Sequence, residues 1–217
     1  MQRSTRRFFA MFVLLILAPL AHGTEPGDCL TPDEAELLEL INQYRQSNGL
    51  LAAPWSKSLS MVGQWHVWDL VNNDPVGGQC NAHSWSDWGD LWTPVCYTSD
   101  HAQAQGMWDK PREITDNLYT GNGFEIAAWT SGSYLSPDAA LAAWQGSPGH
   151  NDVILNQGMW SSLSPWPAMG VGMLNGYAVV WFGDITDPSG SIFECAQPIF
   201  VHDFENGSTD GWSSTVQ

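Results

Sequence analysis

Apolar side chains recur at helical intervals near the start of the chain, at Leu37, Leu38, Ile41 and Tyr44. Positions three or four residues apart share one face of an α-helix, so this pattern predicts an amphipathic helix. Thr31 is a typical N-cap residue, and Glu34 stands at the position that completes a capping box. Asn48-Gly49 is a typical helix end. We therefore predict a first helix between Thr31 and Asn48.

The pattern along the rest of the chain alternates between helical and extended segments. Residues 72–117 show neither period and contain several tryptophans, so we predict a long functional or disulfide-pinned loop there. The remaining predicted elements are a helix over Ser58–Val71, a strand over Gly123–Ser131, a helix from Ser136 to about Trp144, and a short helix from Ser147 to Leu155.

Two apolar runs near the end of the chain, Met169–Met173 and Tyr177–Gly183, are separated by a turn that contains Asn175-Gly176. Asn-Gly is the commonest signal for a type I′ hairpin. Helices precede and interrupt these strands, which is typical of an α+β fold with a mainly antiparallel sheet and not of a parallel doubly wound one.

The first residues have the composition of a secretory signal peptide. Arginines precede the apolar run Phe8–Leu20, and small residues follow at Ala21-His22-Gly23. We predict that residues 1–23 are removed on export and that the protein is secreted, extracellular or periplasmic. No later apolar stretch reaches the roughly 20 residues of a membrane span, so we expect no integral membrane segment.

Length and charge restrict the remaining possibilities. The chain has 23 acidic and 7 basic residues, a formal net charge of −16, and such a surface repels phosphate backbones. Nucleic acid is therefore excluded as a partner. The length suits one domain, predicted at residues 24–199, followed by an acidic polar tail at residues 200–217. We expect a monomer.

Four cysteines lie beyond the signal segment and allow three pairings. We favour Cys80 with Cys96, because these two bracket one tryptophan-rich loop. The remaining pair, Cys29 with Cys195, would tie the start of the domain to its end. An oxidising compartment permits both disulfides.

The sequence lacks the common hydrolase and nucleotide-binding signatures, such as HExxH, GxSxG and GxxxxGKS. Three polar residues instead stand out among apolar or small neighbours: His83, Glu125 and His150. Their segments resemble, in order, the His-bearing loop, the Gly-x-Glu strand and the Trp-x-x-Ser-Pro-Gly-His helix start of the CAP superfamily, also called SCP domains. The segments are Asn81–Trp85, Gly123–Ala127 and Trp144–Asn151.

The resemblance continues from Leu37–Arg45, similar to the family's first helix, to Met169–Gly172 and Trp181–Gly183, similar to its closing strands. It covers roughly residues 34–186. It implies a three-layer α-β-α sandwich with a small antiparallel sheet and a cleft lined by two histidines and two acidic residues. The match places His83, Glu125 and His150 in that cleft, with Ser147 where many relatives have an acidic residue.

Two interpretations of the cleft remain open. Neutral imidazoles suit zinc, so His83 and His150 are tentative Zn²⁺ ligands, with Glu125 binding the ion or orienting an imidazole. Alternatively, Glu125 only hydrogen-bonds a histidine and fixes the loops. His66 is interpreted as a helix-surface or partly buried residue, and an approach of His66 to the cleft is left open as an alternative. His101 and His202 are assigned to loop or tail positions, and Ser147 to helix capping.

The favoured function is non-enzymatic: binding of a small apolar ligand (a lipid or sterol), a glycan or a protein through the cleft and the tryptophan-rich loop. A minority of tryptophans, Trp85, Trp88 and Trp92, would form an exposed platform for this. The alternative is a zinc-assisted hydrolase with Glu125 as general base, and no other catalytic residue is assigned. A third hypothesis is a purely structural envelope protein.

Overall fold

The computed structural model describes residues 25–196. The predicted signal peptide at 1–23 and the predicted tail at 200–217 lie outside these residues. In chain order the described elements are α1 (Pro32–Ser47), α2 (Lys57–Asn73), α3 (Ala104–Trp108), α4 (Lys110–Ile114), β1 (Gly123–Trp129), α5 (Pro137–Gln145), α6 (Pro148–Ile154), a 3₁₀ helix (Gly158–Leu163), β2 (Ala168–Leu174) and β3 (Tyr177–Gly183).

The two long helices begin at side-chain caps. The capping box predicted for α1 is present: the hydroxyl of Thr31 accepts from the amide of Glu34, and the carboxylate of Glu34 accepts from the amide of Thr31. At α2 the hydroxyl of Ser56 accepts from the amide of Leu59 at 3.0 Å. These bonds satisfy amides that have no partner inside the helix.

A buried carboxylate beyond β3 strengthens the start of α2. Asp187 accepts hydrogen bonds from the hydroxyl of Ser56 at 2.6 Å and from the amide of Ser58 at 2.7 Å. The hydroxyl of Ser58 donates to its other oxygen at 2.7 Å. A negative charge at this end of the helix also complements the helix dipole.

The three strands form an antiparallel sheet in the order β1-β3-β2. β2 and β3 are joined by the predicted hairpin: Leu174 pairs with Tyr177, and both turn residues, Asn175 and Gly176, have positive φ. This is the geometry that a type I′ turn requires. The prediction of an α+β fold with an antiparallel sheet is confirmed.

Helices cover both faces of the sheet. On β3, Ala178, Val180 and Phe182 pack into a core that includes residues of α1, α5 and α6. The residues between them, Val179 and Trp181, pack into a second core with residues of α2. This alternation follows from the two-residue period of a strand. It produces the three layers that the family resemblance implied.

Helix α2 lies unusually close to β2. A Cβ atom added to Gly63 would stand 2.7 Å from the carbonyl carbon of Val171, too close for any real contact. Gly170 and Gly172, on the facing strand, have no room for a Cβ atom either, because backbone atoms of α2 occupy that space. Glycine at these positions therefore allows the helix and the strand to approach backbone to backbone.

Both predicted disulfides are present, Cys29–Cys195 and Cys80–Cys96. The prediction of one unbroken loop over residues 72–117 is wrong in part, because α3 and α4 lie within it. These helices have five residues each, too few for a helical period to show in the sequence. No helix in residues 25–196 is both long enough and apolar enough to cross a membrane.

Candidate functional site

A single buried carboxylate joins two histidines from different parts of the chain. Glu125 lies on β1, and its side chain is 1% exposed. Its Oε2 atom is 2.7 Å from Nδ1 of His83, which comes from the long loop after α2. Its Oε1 atom contacts Nδ1 of His66 on α2. The carboxylate therefore links the sheet to a helix and to a loop.

His66 is fully buried, so the interpretation as a helix-surface residue is wrong. The alternative, that His66 approaches the cleft, agrees with its contact with Glu125. Its ring stacks on Trp85, with 4.2 Å between ring centroids and 8° between planes. Its Nε2 atom donates to the carbonyl of Ser84 at 3.0 Å. The sequence held a signal for this position: His66 follows the core residues Leu59 and Val62 by seven and four residues, which places it on the same helix face.

The two histidines keep Glu125 ionised. Burial acts to raise the pKa of this carboxyl, but attraction to His66 and His83 and the hydrogen bonds from both rings outweigh it, and the pKa is lowered. The same charge acts on Tyr97: burial and, secondarily, Glu125 raise the pKa of that phenol.

A cavity of about 460 Å³ opens beside β1. Polar groups from Glu125, His83, His150 and Ser147 form one part of its lining. Most of the remaining wall is aromatic, aliphatic or thioether: Tyr97, Ala104, Met107, Trp108, Phe124, Val153, Met159 and Trp160. The volume and this mixture of a large apolar wall with a few polar groups are typical of a small-molecule site.

The structure brings all four predicted cleft residues, His83, Glu125, Ser147 and His150, to this cavity. Ser147 is the N-cap residue of α6, as predicted, but its side chain makes no capping hydrogen bond. The backbone of Ser147 accepts from the amide of Asn151 at 2.9 Å and begins the helix without the hydroxyl.

Sequence reasoning missed His101, which also lines the cavity. Its Nδ1 atom lies 2.9 Å from the hydroxyl of Tyr97. No local pattern signals this residue, because His101 lies in an irregular turn with φ of 59°. The loop that carries it is fixed near Tyr97 by the Cys80–Cys96 disulfide and by a hydrogen bond of 2.9 Å between the backbones of Asn81 and Tyr97.

The predicted tryptophan platform is wrong. Trp85 and Trp92 are 2% and 7% exposed, and only Trp88, at 78%, is open to solvent. Trp85 is held by stacking on His66, and the indole N–H of Trp92 donates to the carbonyl of Ser86 at 3.0 Å. Both rings therefore pack in the core and are not available to a ligand at the surface.

The donor set does not fit the tentative zinc site predicted at His83 and His150. Catalytic zinc takes three protein ligands, and in the part of the chain that the structure describes no group of three or more His, Cys, Asp or Glu side chains converges closely enough to hold an ion. Oε2 of Glu125 is already hydrogen-bonded to Nδ1 of His83, and Oε1 of Glu125 to Nδ1 of His66.

These features define an α+β domain with a carboxylate–histidine cluster beside a mainly apolar cavity. The family model described as "CAP: Cysteine-rich secretory protein family" matches residues 38–161, more than half of the chain. The chain belongs to this family. No curated protein sequence matches it.

Three solved structures are similar to this chain. A cysteine-rich secretory protein from Staphylococcus aureus is 15% identical, with a TM-score of 0.45 over 70% of this chain and 38% of that chain. An extracellular protein containing a SCP domain from Bacillus anthracis is 18% identical, with a TM-score of 0.48 over 71% and 44%. An outer surface protein of Borrelia burgdorferi is 17% identical, with a TM-score of 0.45 over 69% and 90%. The chain thus spans less than half of the first and the second of these proteins.

Proposed function

We propose that this protein is exported and binds a small, mainly apolar molecule in the cavity beside β1. The observation that supports this most directly is the lining itself: a cavity of about 460 Å³ with aromatic and methionine walls and one polar region. An apolar molecule that enters it removes its own surface and the surface of these side chains from water, which is favourable by about 25 cal/mol per Å².

The contacts around the cavity favour a preformed site. Glu125 fixes His83, the Cys80–Cys96 disulfide joins the two parts of the loop, and the backbone hydrogen bonds between Trp85 and Val95 hold it closed. Fewer side chains and loops then need to be ordered when a ligand binds, and that ordering is one of the main costs of association.

Titration of the neutral dye Nile red into the purified protein tests the proposal. Ala104 lines the cavity, so Ala104→Trp should fill part of it and weaken dye binding at least tenfold, a loss of about 1.4 kcal/mol. Ala102→Trp is the matched control, because Ala102 is exposed and outside the lining. Equal affinities of the two variants and the wild type would contradict binding in this cavity. A glycan or protein partner would then be the better hypothesis.

Export is the second part of the proposal. The signal-like composition of residues 1–23, the family's description as secretory and the two disulfides support it. Mass spectrometry of protein recovered from outside the cytoplasm should show an N-terminus near Thr24. An intact Met1 terminus on that protein would contradict cleavage.

A further inference from the structure

The hydrogen bond to Glu125 determines which nitrogen of His83 faces a ligand. A carboxylate only accepts hydrogen bonds, so Nδ1 of His83 carries the proton and donates to Oε2 at 2.7 Å. In a neutral imidazole the other nitrogen is then an acceptor. Nε2 of His83 has no hydrogen-bond partner among residues 25–196, and the side chain is 21% exposed at the cavity. His83 therefore offers a free acceptor to whatever enters.

The charge of Glu125 is already balanced by His66. Nε2–H of His66 donates to the carbonyl of Ser84, so this ring has its second nitrogen, Nδ1, against Oε1 of Glu125. Two acceptors would repel each other there, so a proton must lie between them. With that proton, His66 and Glu125 together carry no net charge. A ligand cation would find no free carboxylate at this position.

The polar region of the cavity also lacks a free cation. No lysine or arginine in the described part of the chain lines the cavity, and burial and, secondarily, the neighbouring His83 lower the pKa of His150 more than Glu125 raises it. The hydroxyl of Ser147 and the ring of His150 make no side-chain hydrogen bond within the described range 25–196. The polar region therefore offers donors and acceptors without net charge.

We infer that the ligand is a neutral molecule with an apolar body and a hydroxyl group, and that this hydroxyl donates to Nε2 of His83. The inference rests on the proposed function and specifies the chemistry of the ligand. A carboxylate or a phosphate would meet no lysine or arginine in the lining that the structure describes, so its charge would stay uncompensated in a mainly apolar cavity. A pure hydrocarbon or an ether would leave Nε2 without a donor, at the cost of an unmade hydrogen bond.

Four ligands of similar length separate these possibilities: 1-octanol, its isomer 1-methoxyheptane, octanoate and octylammonium. Calorimetric titrations at pH 8 compare the four affinities. One additional hydrogen bond should make 1-octanol bind roughly tenfold more tightly than the isomeric ether. Octanoate and octylammonium should bind no more tightly than the ether does. Equal affinities of the alcohol and the ether, or a preference for either ion, would overturn the inference.

Two variants locate the acceptor. His83→Phe keeps a ring and removes Nε2, so the alcohol should lose its roughly tenfold advantage over the ether. Tyr97→Phe is the matched control, because it also removes one polar group from the cavity lining, and it should leave that ratio unchanged. The opposite pattern would assign the hydroxyl to Tyr97 and overturn the role of His83. The comparison of ligands on the wild-type protein remains decisive if a variant does not fold.

Different results would disprove the proposed function and the inference about the ligand's hydroxyl group. If the wild-type protein binds none of the four ligands and no Nile red, the proposed function is wrong, and this inference is wrong with it. If Nile red binds and Ala104→Trp weakens its binding, but 1-octanol binds no more tightly than 1-methoxyheptane, only the assignment of a hydroxyl-bearing ligand is wrong.

Discussion

Replacement of Gly63 by alanine sets two effects of opposite sign against each other. Within a helix, alanine is favoured over glycine by about 1 kcal/mol. The new Cβ atom, however, would lie 2.7 Å from the carbonyl carbon of Val171 and 2.8 Å from the amide nitrogen of Gly172. Both neighbours are backbone atoms of β2, so a side-chain rotation cannot relieve the contact.

The helix must therefore move away from the sheet by about 0.7 Å to reach an ordinary contact of 3.4 Å. Forced repacking of this kind costs typically 1–3 kcal/mol, and we expect the upper end because a whole element must move. Subtraction of the helix-propensity gain leaves a net loss of about 2 kcal/mol, or a fall in Tm of roughly 4–8 °C for a domain of this size.

Urea unfolding of Gly63→Ala, with the disulfides intact, measures this loss as a lower urea concentration at the midpoint of unfolding. The dependence of the unfolding free energy on urea concentration should not change. The control is Gly149→Ala, a glycine to alanine change in helix α6 where nothing lies within 4 Å of the new Cβ atom. It should leave stability unchanged or increase it slightly. If Gly63→Ala is as stable as the wild type, the close approach of α2 and β2 does not limit the fold, and the reasoning is refuted.

Three further predictions concern the site and its supports. The pKa of Glu125 is lowered from its ordinary value of 4.5, so its contribution to stability is present above pH 4.5 and is lost as the pH falls through the lowered pKa. Urea unfolding should therefore show the wild type losing its stability advantage over Glu125→Gln in that acidic range. A stability difference that stays constant over this pH range would contradict the lowered pKa of Glu125. The double change Cys80→Ser with Cys96→Ser removes a disulfide between residues 16 positions apart, and it should lower the unfolding free energy by about 3 kcal/mol. An unchanged melting temperature would show that other contacts keep this loop closed. Trp85→Ala should lower the unfolding free energy by about 3–5 kcal/mol because the ring is buried against His66. Trp88→Ala should change it by less than about 0.5 kcal/mol because that ring is exposed. Similar thermal melts of the two variants would contradict the burial of Trp85.

Local signals were sufficient to predict most of the fold. The capping box at Thr31 and Glu34 and the turn at Asn175-Gly176 specify their conformations within a few residues, and the structure contains both. The short helices α3 and α4 gave no such signal, because each spans little more than one turn and is held by packing against distant elements.

The site was predictable only where the family resemblance supplied it. The resemblance placed His83, Glu125 and His150 in one cleft, and all three line the cavity. For His66 on α2 the sequence left a surface position and an approach to the cleft both open, and the structure shows it in contact with Glu125. Whether a helical histidine is exposed depends on what covers that side of the helix. Here Trp85 covers it, nineteen positions further along a loop whose path the sequence pattern does not reveal.

Asp187 holds the start of α2 from a position beyond β3, so the folding unit extends past the segment that matches the family model. The family match ends at residue 161, before β2, β3 and this carboxylate. A fragment cut to the matched region would keep every residue that lines the cavity, but it would lose two of the three strands described here and the carboxylate at the start of the helix that carries His66. The segment that identifies the family is therefore shorter than the segment that can build its site, and expression boundaries for this protein should extend at least to Cys195.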